Sequence, residues 1–308
     1  MNGVLAQTAG LIVCGIVWRR FQPGGLEGES TRRVLTGVVY HLLLPALVLG
    51  VLWQAPMNGD AIRIAVVAAA GVLAAMATAW AIYRFLPAPF STAGGPAVGA
   101  LILAAAFGNV TYLGLPVLES AFGPWARAVA IEYDLFACTP LLLTLGIAIA
   151  QRYGHDPSGQ SPLQALLRVP PLWAALAAIA LNLGGVPLHP WLAGGLAMLG
   201  AGVVPLMLFS VGLGLRWSGG WKRRLPLLLP AVAIQLLLTP LLVAWLGGWI
   251  GLSGDVLRAV VVEAAMPSMV LGIVLCDRFG LDTPLYAEAV TLSTILVAVT
   301  LPMWFGSF

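Results

Sequence analysis

Phe107-Gly108-Asn109-Val110-Thr111-Tyr112-Leu113-Gly114-Leu115-Pro116-Val117 interrupts an apolar run spanning roughly 96–122. Glu263-Ala264-Ala265-Met266-Pro267-Ser268-Met269-Val270-Leu271-Gly272 interrupts another, spanning roughly 255–278. Glycine and proline open the helical hydrogen-bond ladder. Inside lipid an opened helix is tolerated only where protein or a wet cavity meets the freed N–H and C=O groups. Gly108, Gly114, Pro116 and Pro267 are the expected break points. Each break predicts a site lined by protein, with Asn109, Thr111, Tyr112 and Ser268 beside it.

The composition outside these stretches has the same solvent in view. Of 308 residues, 60% are apolar and 9% charged, where a soluble domain carries about 25% charged residues. Such a chain is solvated largely by lipid. A net charge of +3, with scattered basic residues, gives no nucleic-acid footprint. Cys14, Cys138 and Cys276 fall in apolar runs with no metal or disulfide spacing, and read as free core thiols. Residues 1–17 have no basic residue ahead of the apolar stretch, and Arg19 and Arg20 follow it; this is the polarity of a retained helix rather than of a signal peptide.

Ten apolar segments follow, at roughly 3–18, 34–54, 61–86, 96–122, 125–150, 169–186, 191–215, 224–250, 255–278 and 284–305. Most are long enough to cross about 30 Å of hydrocarbon. With the N-terminus outside, the inner connections hold Arg19, Arg20, Arg32, Arg33, Arg84, Arg152, Arg168, Arg216, Lys222, Arg223, Arg224 and Arg278. The outer ones hold Arg63, Arg127 and Arg258, so all 15 basic residues divide 12 to 3. That asymmetry places both termini on the periplasmic side of a bacterial inner membrane. The polar stretch around 151–163 divides the chain into five segments in 1–150 and five in 164–308. An odd number per half gives the halves opposite orientations, an inverted repeat. Proline placement echoes it: Pro45 with Pro205, and Pro140 with Pro302. The expected fold is an all-α membrane protein with broken, crossing segments 4 and 9.

Two broken helices at corresponding positions of two halves point to a transporter site. The N-terminus of a half-helix carries partial positive charge and unpaired N–H groups, so it can hold a carboxylate without Arg or Lys. The candidate substrate-binding residues are Gly108, Asn109, Thr111, Tyr112, Pro267, Ser268 and Met269. Ionisable groups within membrane segments are rare and functional by default. Glu263 stands four residues before Pro267 and shares its face. With Asp134, Glu132 and His41 it makes the candidate set for coupling to a proton or cation. Glu119, Asp277 and Glu288 lie near segment ends and read as surface charges.

The stretch 107–117 with Phe122-Gly123, and 265–272 continuing through Arg278-Phe279-Gly280-Leu281-Asp282 to Leu301-Pro302, resembles the auxin efflux carrier family. Arg168-Val169-Pro170-Pro171 and Val204-Pro205-Leu206-Met207-Leu208-Phe209-Ser210-Val211-Gly212-Leu213 resemble it too, so the likeness covers nearly the whole chain. The resemblance extends to the bile, arsenite and riboflavin transporter superfamily. It implies ten helices in an inverted repeat, with segments 1, 2, 6 and 7 as a scaffold. Segments 3–5 and 8–10 would carry substrate by an elevator-like movement. The family's crossover Asn falls on Asn109, and the polar residue after its second crossover Pro falls on Ser268. Plant members have Pro where this chain has Gly108, and their long cytoplasmic loop is missing here.

No H-E-x-x-H, G-x-S-x-G or P-loop occurs, and His41, His155 and His189 lie far apart, so no enzyme, metal site or cofactor is expected. The expected partners are a small organic anion, H+ or Na+ as coupling ion, the bilayer, and a second copy if the protein is a homodimer. The expected function is a carrier or facilitator for small organic carboxylates; an anion channel and a non-transporting membrane sensor are the alternatives.

Overall fold

The computed structural model describes residues 2–55, 59–87, 90, 93–154, 167–215 and 221–306, with side chains from residue 9 onward. The expected linker at 151–163 lies mostly outside the described residues. The described chain is helical in every predicted apolar segment: α1 Asn2–Phe21, α2 Gly28–Gln54, α3 Asp60–Phe85, α4 Gly95–Ala106, α5 Val110–Phe122, α6 Ala126–Tyr153, α7 Pro170–Leu183, α8 Pro190–Gly214, α9 Trp221–Trp249, α10 Gly254–Ala264, α11 Gly272–Phe279 and α12 Thr283–Gly306. Six of them (α2, α3, α6, α8, α9 and α12) are long and apolar enough to cross a membrane. Shorter apolar helices accompany them: α4, α5 and α7. This is a multi-pass membrane protein.

Proline shapes the long helices in a regular way. Wide turns with i→i+5 bonds occupy Val39–Leu43, Val110–Gly114, Asp134–Cys138 and Ile234–Leu238. In each case a proline stands two residues beyond the end: Pro45, Pro116, Pro140 and Pro240. A proline ring has no N–H and collides with the carbonyl four residues back. That carbonyl falls inside the wide turn each time, and the helix relieves the clash by taking in an extra residue. Leu142–Gly146 is a fifth wide turn without such a proline.

Tertiary packing sorts the helices into two groups. In the first, α7 and α8 pack on the second half of α2, and α1 packs on α8. The last contact is backbone to backbone: a Cβ on Gly15 would collide with the Phe209 carbonyl, and one on Gly212 with that of Ile12. Small residues permit this approach where lipid supplies no hydrophobic push between helices. Asn182 of α7 donates to the carbonyls of Leu52, Trp53 and Ala55 at 3.0, 2.8 and 2.8 Å, satisfying the open end of α2. In the second group α3 packs on α4, α6 and α9, while α12 packs on α4, α9 and α10.

Two sequence expectations change here. Glu288 is no surface charge: it is buried in α12 and meets Arg224 of α9 at 2.8 Å, because its helix face turns inward. Cys14 is exposed on α1, while Cys138 and Cys276 are buried. An apolar run in a membrane helix does not say which face meets lipid and which meets protein.

Candidate functional site

The two interruptions meet. α4 stops at Ala106, and the chain runs extended through Phe107 before α5 opens at Val110. α10 stops at Ala264, and Ala265 to Leu271 leads to α11. Where they cross, Gly108 and Ser268 form an antiparallel bridge. The Asn109 N–H donates to the Pro267 carbonyl at 2.6 Å, and the Met269 N–H donates to the Phe107 carbonyl at 3.0 Å. Each break thus supplies hydrogen-bonding groups that the other lacks, as an interior without water demands.

Side chains from α9 and α12 brace the second break. Gln235 Nε2 donates to the carbonyls of Met266 at 2.9 Å and Ala264 at 3.3 Å. Tyr286 donates its hydroxyl to the Met269 carbonyl at 3.0 Å. Ser268 donates Oγ–H to the Ala104 carbonyl at 2.6 Å, and its N–H donates to Ser293 Oγ at 3.1 Å. Gly108 is needed for this closeness: a Cβ there would stand 3.0 Å from Gln235 Nε2 and 3.3 Å from the Met266 carbonyl oxygen.

The first break is less complete. Asn109 is 4% exposed, and its side-chain Nδ2 has no hydrogen-bond partner among the described residues. It lines a cavity of about 80 Å³ together with Gly108, Thr111, Tyr112, Asp134, Thr139 and Met269, closed on the far side by Tyr40 of α2 and by Val169 and Pro171 at the start of α7. Asp134 accepts hydrogen bonds from Thr111 and, at 2.9 Å, from Thr139. A second cavity of about 490 Å³ lies between the same two helix groups, near the end of α2 and the starts of α3 and α6. It is lined among others by Gln54, Asp60, Arg127, Glu132, Leu196 and Val256.

The structure therefore separates the candidates into places. Gly108, Asn109, Thr111, Tyr112, Met269 and Asp134 share the small cavity. Pro267 and Ser268 lie behind it, inside the crossing. Glu132 faces the large cavity. His41 is exposed and lines neither; its neighbour Tyr40 takes the cavity wall, since adjacent helical residues point about 100° apart. Glu263 is fully buried, with no hydrogen-bond partner for either oxygen among the described residues. Its carboxyl rests on Gly114, where any Cβ would collide with it, so that glycine makes room for an acid rather than opening the helix. Pro116 widens the turn that contains Gly114. Among the described residues no His, Cys, Asp and Glu group could hold a metal ion.

Sequence reasoning did not single out Tyr40, Thr139, Gln235, Ser293 or Tyr286. For Gln235 a signal existed: it is the lone amide in the apolar stretch of α9, and such a group seeks a partner.

A helical multi-pass membrane protein, with two interrupted helices crossing beside cavities that lie between two helix groups, is the class this arrangement defines. Comparison with known proteins narrows it. The model of the membrane transport protein family matches residues 22–305. An uncharacterized transporter of Methanothermobacter thermautotrophicus is 32% identical over 285 residues, covering 91% of this chain and 90% of that one. An uncharacterized transporter of Methanocaldococcus jannaschii is 27% identical over 215 residues, 67% of each chain. The chain belongs to the membrane transport protein family, the auxin efflux carrier family that its crossover motifs resemble.

Proposed function

We propose that the protein is a secondary carrier or facilitator for small organic carboxylates, held at the crossing of the two broken helices. The Asn109 amide in the wall of the small cavity, unpaired among the described residues, carries this reading. A carboxylate oxygen completes such a donor, and the first turn of α5 beside it adds a partial positive charge. In this reading α1, α2, α7 and α8 are the scaffold, and the other helices move as an elevator. The chain crosses a cell membrane ten times as an inverted repeat, with both termini outside. Cavities between the two helix groups are what sliding surfaces with alternating access require.

Glu263 is the coupling group. A fully buried carboxyl without a partner is expensive as a bare anion, so it travels with a proton or a cation such as Na+.

Uptake of labelled propionate or malonate into proteoliposomes tests the reading. A carrier gives slow, saturable flux that Asn109→Ala removes. Fast, unsaturable flux would make the protein a channel, and no flux with intact binding would make it a sensor. A reporter fused after Phe308 should be active only if it is an outside-specific one.

A further inference from the structure

The small cavity presents a carboxylate with a difficulty. Among its lining residues there is no Arg, Lys or His, and its one carboxyl group, Asp134, would carry the wrong sign. We propose that Asp134 takes up a proton as a substrate carboxylate enters, so that the two carboxyl groups are held as a hydrogen-bonded pair with one proton and one negative charge between them. The inference rests on the carboxylate reading above and adds a proton bound together with the substrate, separate from the ion that Glu263 carries.

The surroundings leave little alternative source of compensation. Tyr40 of α2, Tyr112 of α5 and Cys138 of α6 line the same space, and Glu263 of α10 interacts with Asp134 electrostatically. All of these are neutral or negative. Arg32 of α2 interacts with Tyr112 but is already engaged by Glu29 at 2.6 Å. Of the other helices packed on the Asp134 turn, α7 has no ionisable residue, and α3 keeps Asp60, Arg63, Tyr83 and Arg84 at its two ends.

Two close carboxylates in a site with little water do not both stay ionised; one proton shared between them removes the repulsion. Solvent supplies that proton and the substrate stays an anion. One substrate oxygen accepts from the protonated Asp134, and the other from Asn109 Nδ2. Thr139 and Thr111 turn with the acid, since a hydroxyl can donate or accept.

The test uses the purified full chain and two probes of equal size, propionate and its neutral amide, propionamide, with affinities measured from about pH 5.5 to about pH 8.5, a range in which propionate itself stays ionised. Propionate affinity should fall about tenfold per pH unit at the alkaline end, the slope of one linked proton. Propionamide can donate N–H to an ionised Asp134, so its affinity should not fall. Asp134→Asn replaces the shared proton by a permanent N–H donor, and should bind propionate with no pH dependence. The comparison of the two probes on the unaltered protein stands even if that variant does not fold. Parallel falls for both probes, a persisting fall in Asp134→Asn, or an affinity steep in sodium and flat in pH would each overturn the inference while leaving the carboxylate reading in place. Binding of 1,4-diaminobutane with no binding of propionate or malonate at any pH would remove the carboxylate reading, and this inference with it.

Discussion

The two breaks look alike in sequence but are finished differently. At the second, Ala264, Met266, Ser268 and Met269 all have partners from α4, α9 or α12. At the first, the crossing meets the Asn109 N–H and the Phe107 carbonyl, but the Asn109 side-chain Nδ2 has no partner among the described residues. A polar group that the fold leaves unmet beside a cavity is available to a ligand, and one that the fold fully satisfies is part of the frame. On the proposed reading this divides the work: the α4–α5 break would meet the substrate, and the α10–α11 break would hold the first in shape.

Asn109→Ala should break the comparison most visibly. A hydrogen bond to a charged group is worth roughly 1.5–3 kcal/mol, so carboxylate affinity should fall roughly 10- to 100-fold, with a melting temperature close to that of the parent protein. Equal affinity in calorimetry would reduce Asn109 to a structural cap. Ser268→Ala should do the opposite: it orphans the Ala104 carbonyl, and a buried unmet acceptor costs about 1–3 kcal/mol. A thermal melt should show that loss while affinity changes little. A large affinity loss with unchanged stability would make both breaks binding elements.

Glu263→Gln sharpens the same division from behind. The acid sits against Gly114 and outside the small cavity. Transport should lose its dependence on cation, or whatever pH dependence remains once the proton bound at Asp134 is allowed for, and binding should persist with its alkaline fall. An unaltered dependence in flux assays would show that Glu263 is not the coupling group. The smallest effect concerns charge number. With no basic residue in the small cavity, malonate affinity should fall several-fold more than propionate affinity does between about pH 5 and about pH 8, as its second carboxyl ionises. An equal or smaller fall for malonate would mean that a cation completes the site.

Much of the helical layout was legible because a membrane segment announces itself by composition, and because Pro267 lacks an N–H for the ladder while Gly108 tolerates its opening. The crossing partners were not, since Gln235, Ser293 and Tyr286 come from remote helices whose rotation no local pattern encodes. Tyr40 and His41 show the scale of the problem. One residue, or about 100° of helix, separates the cavity wall from the exposed face, and the chemically more suggestive histidine is the outer one. Gly114 was readable as a break but not as a berth for Glu263, because that requires knowing what approaches it from α10. The acids of α6 were readable as a pair but not as residents of two different cavities.

That last separation is a matter of bearing: two steps of about 100° put the carboxyls of Glu132 and Asp134 on nearly opposite sides of α6. The wide turn at Asp134–Cys138 begins just there and shifts the bearing of everything beyond it by about 100° relative to an unbroken α-helix. Pro140 lines neither cavity, yet it works as the set-screw of α6, fixing the azimuth at which Thr139, five residues on, turns to Asp134 and donates to it. A residue outside both compartments thus decides which hydroxyl that acid meets.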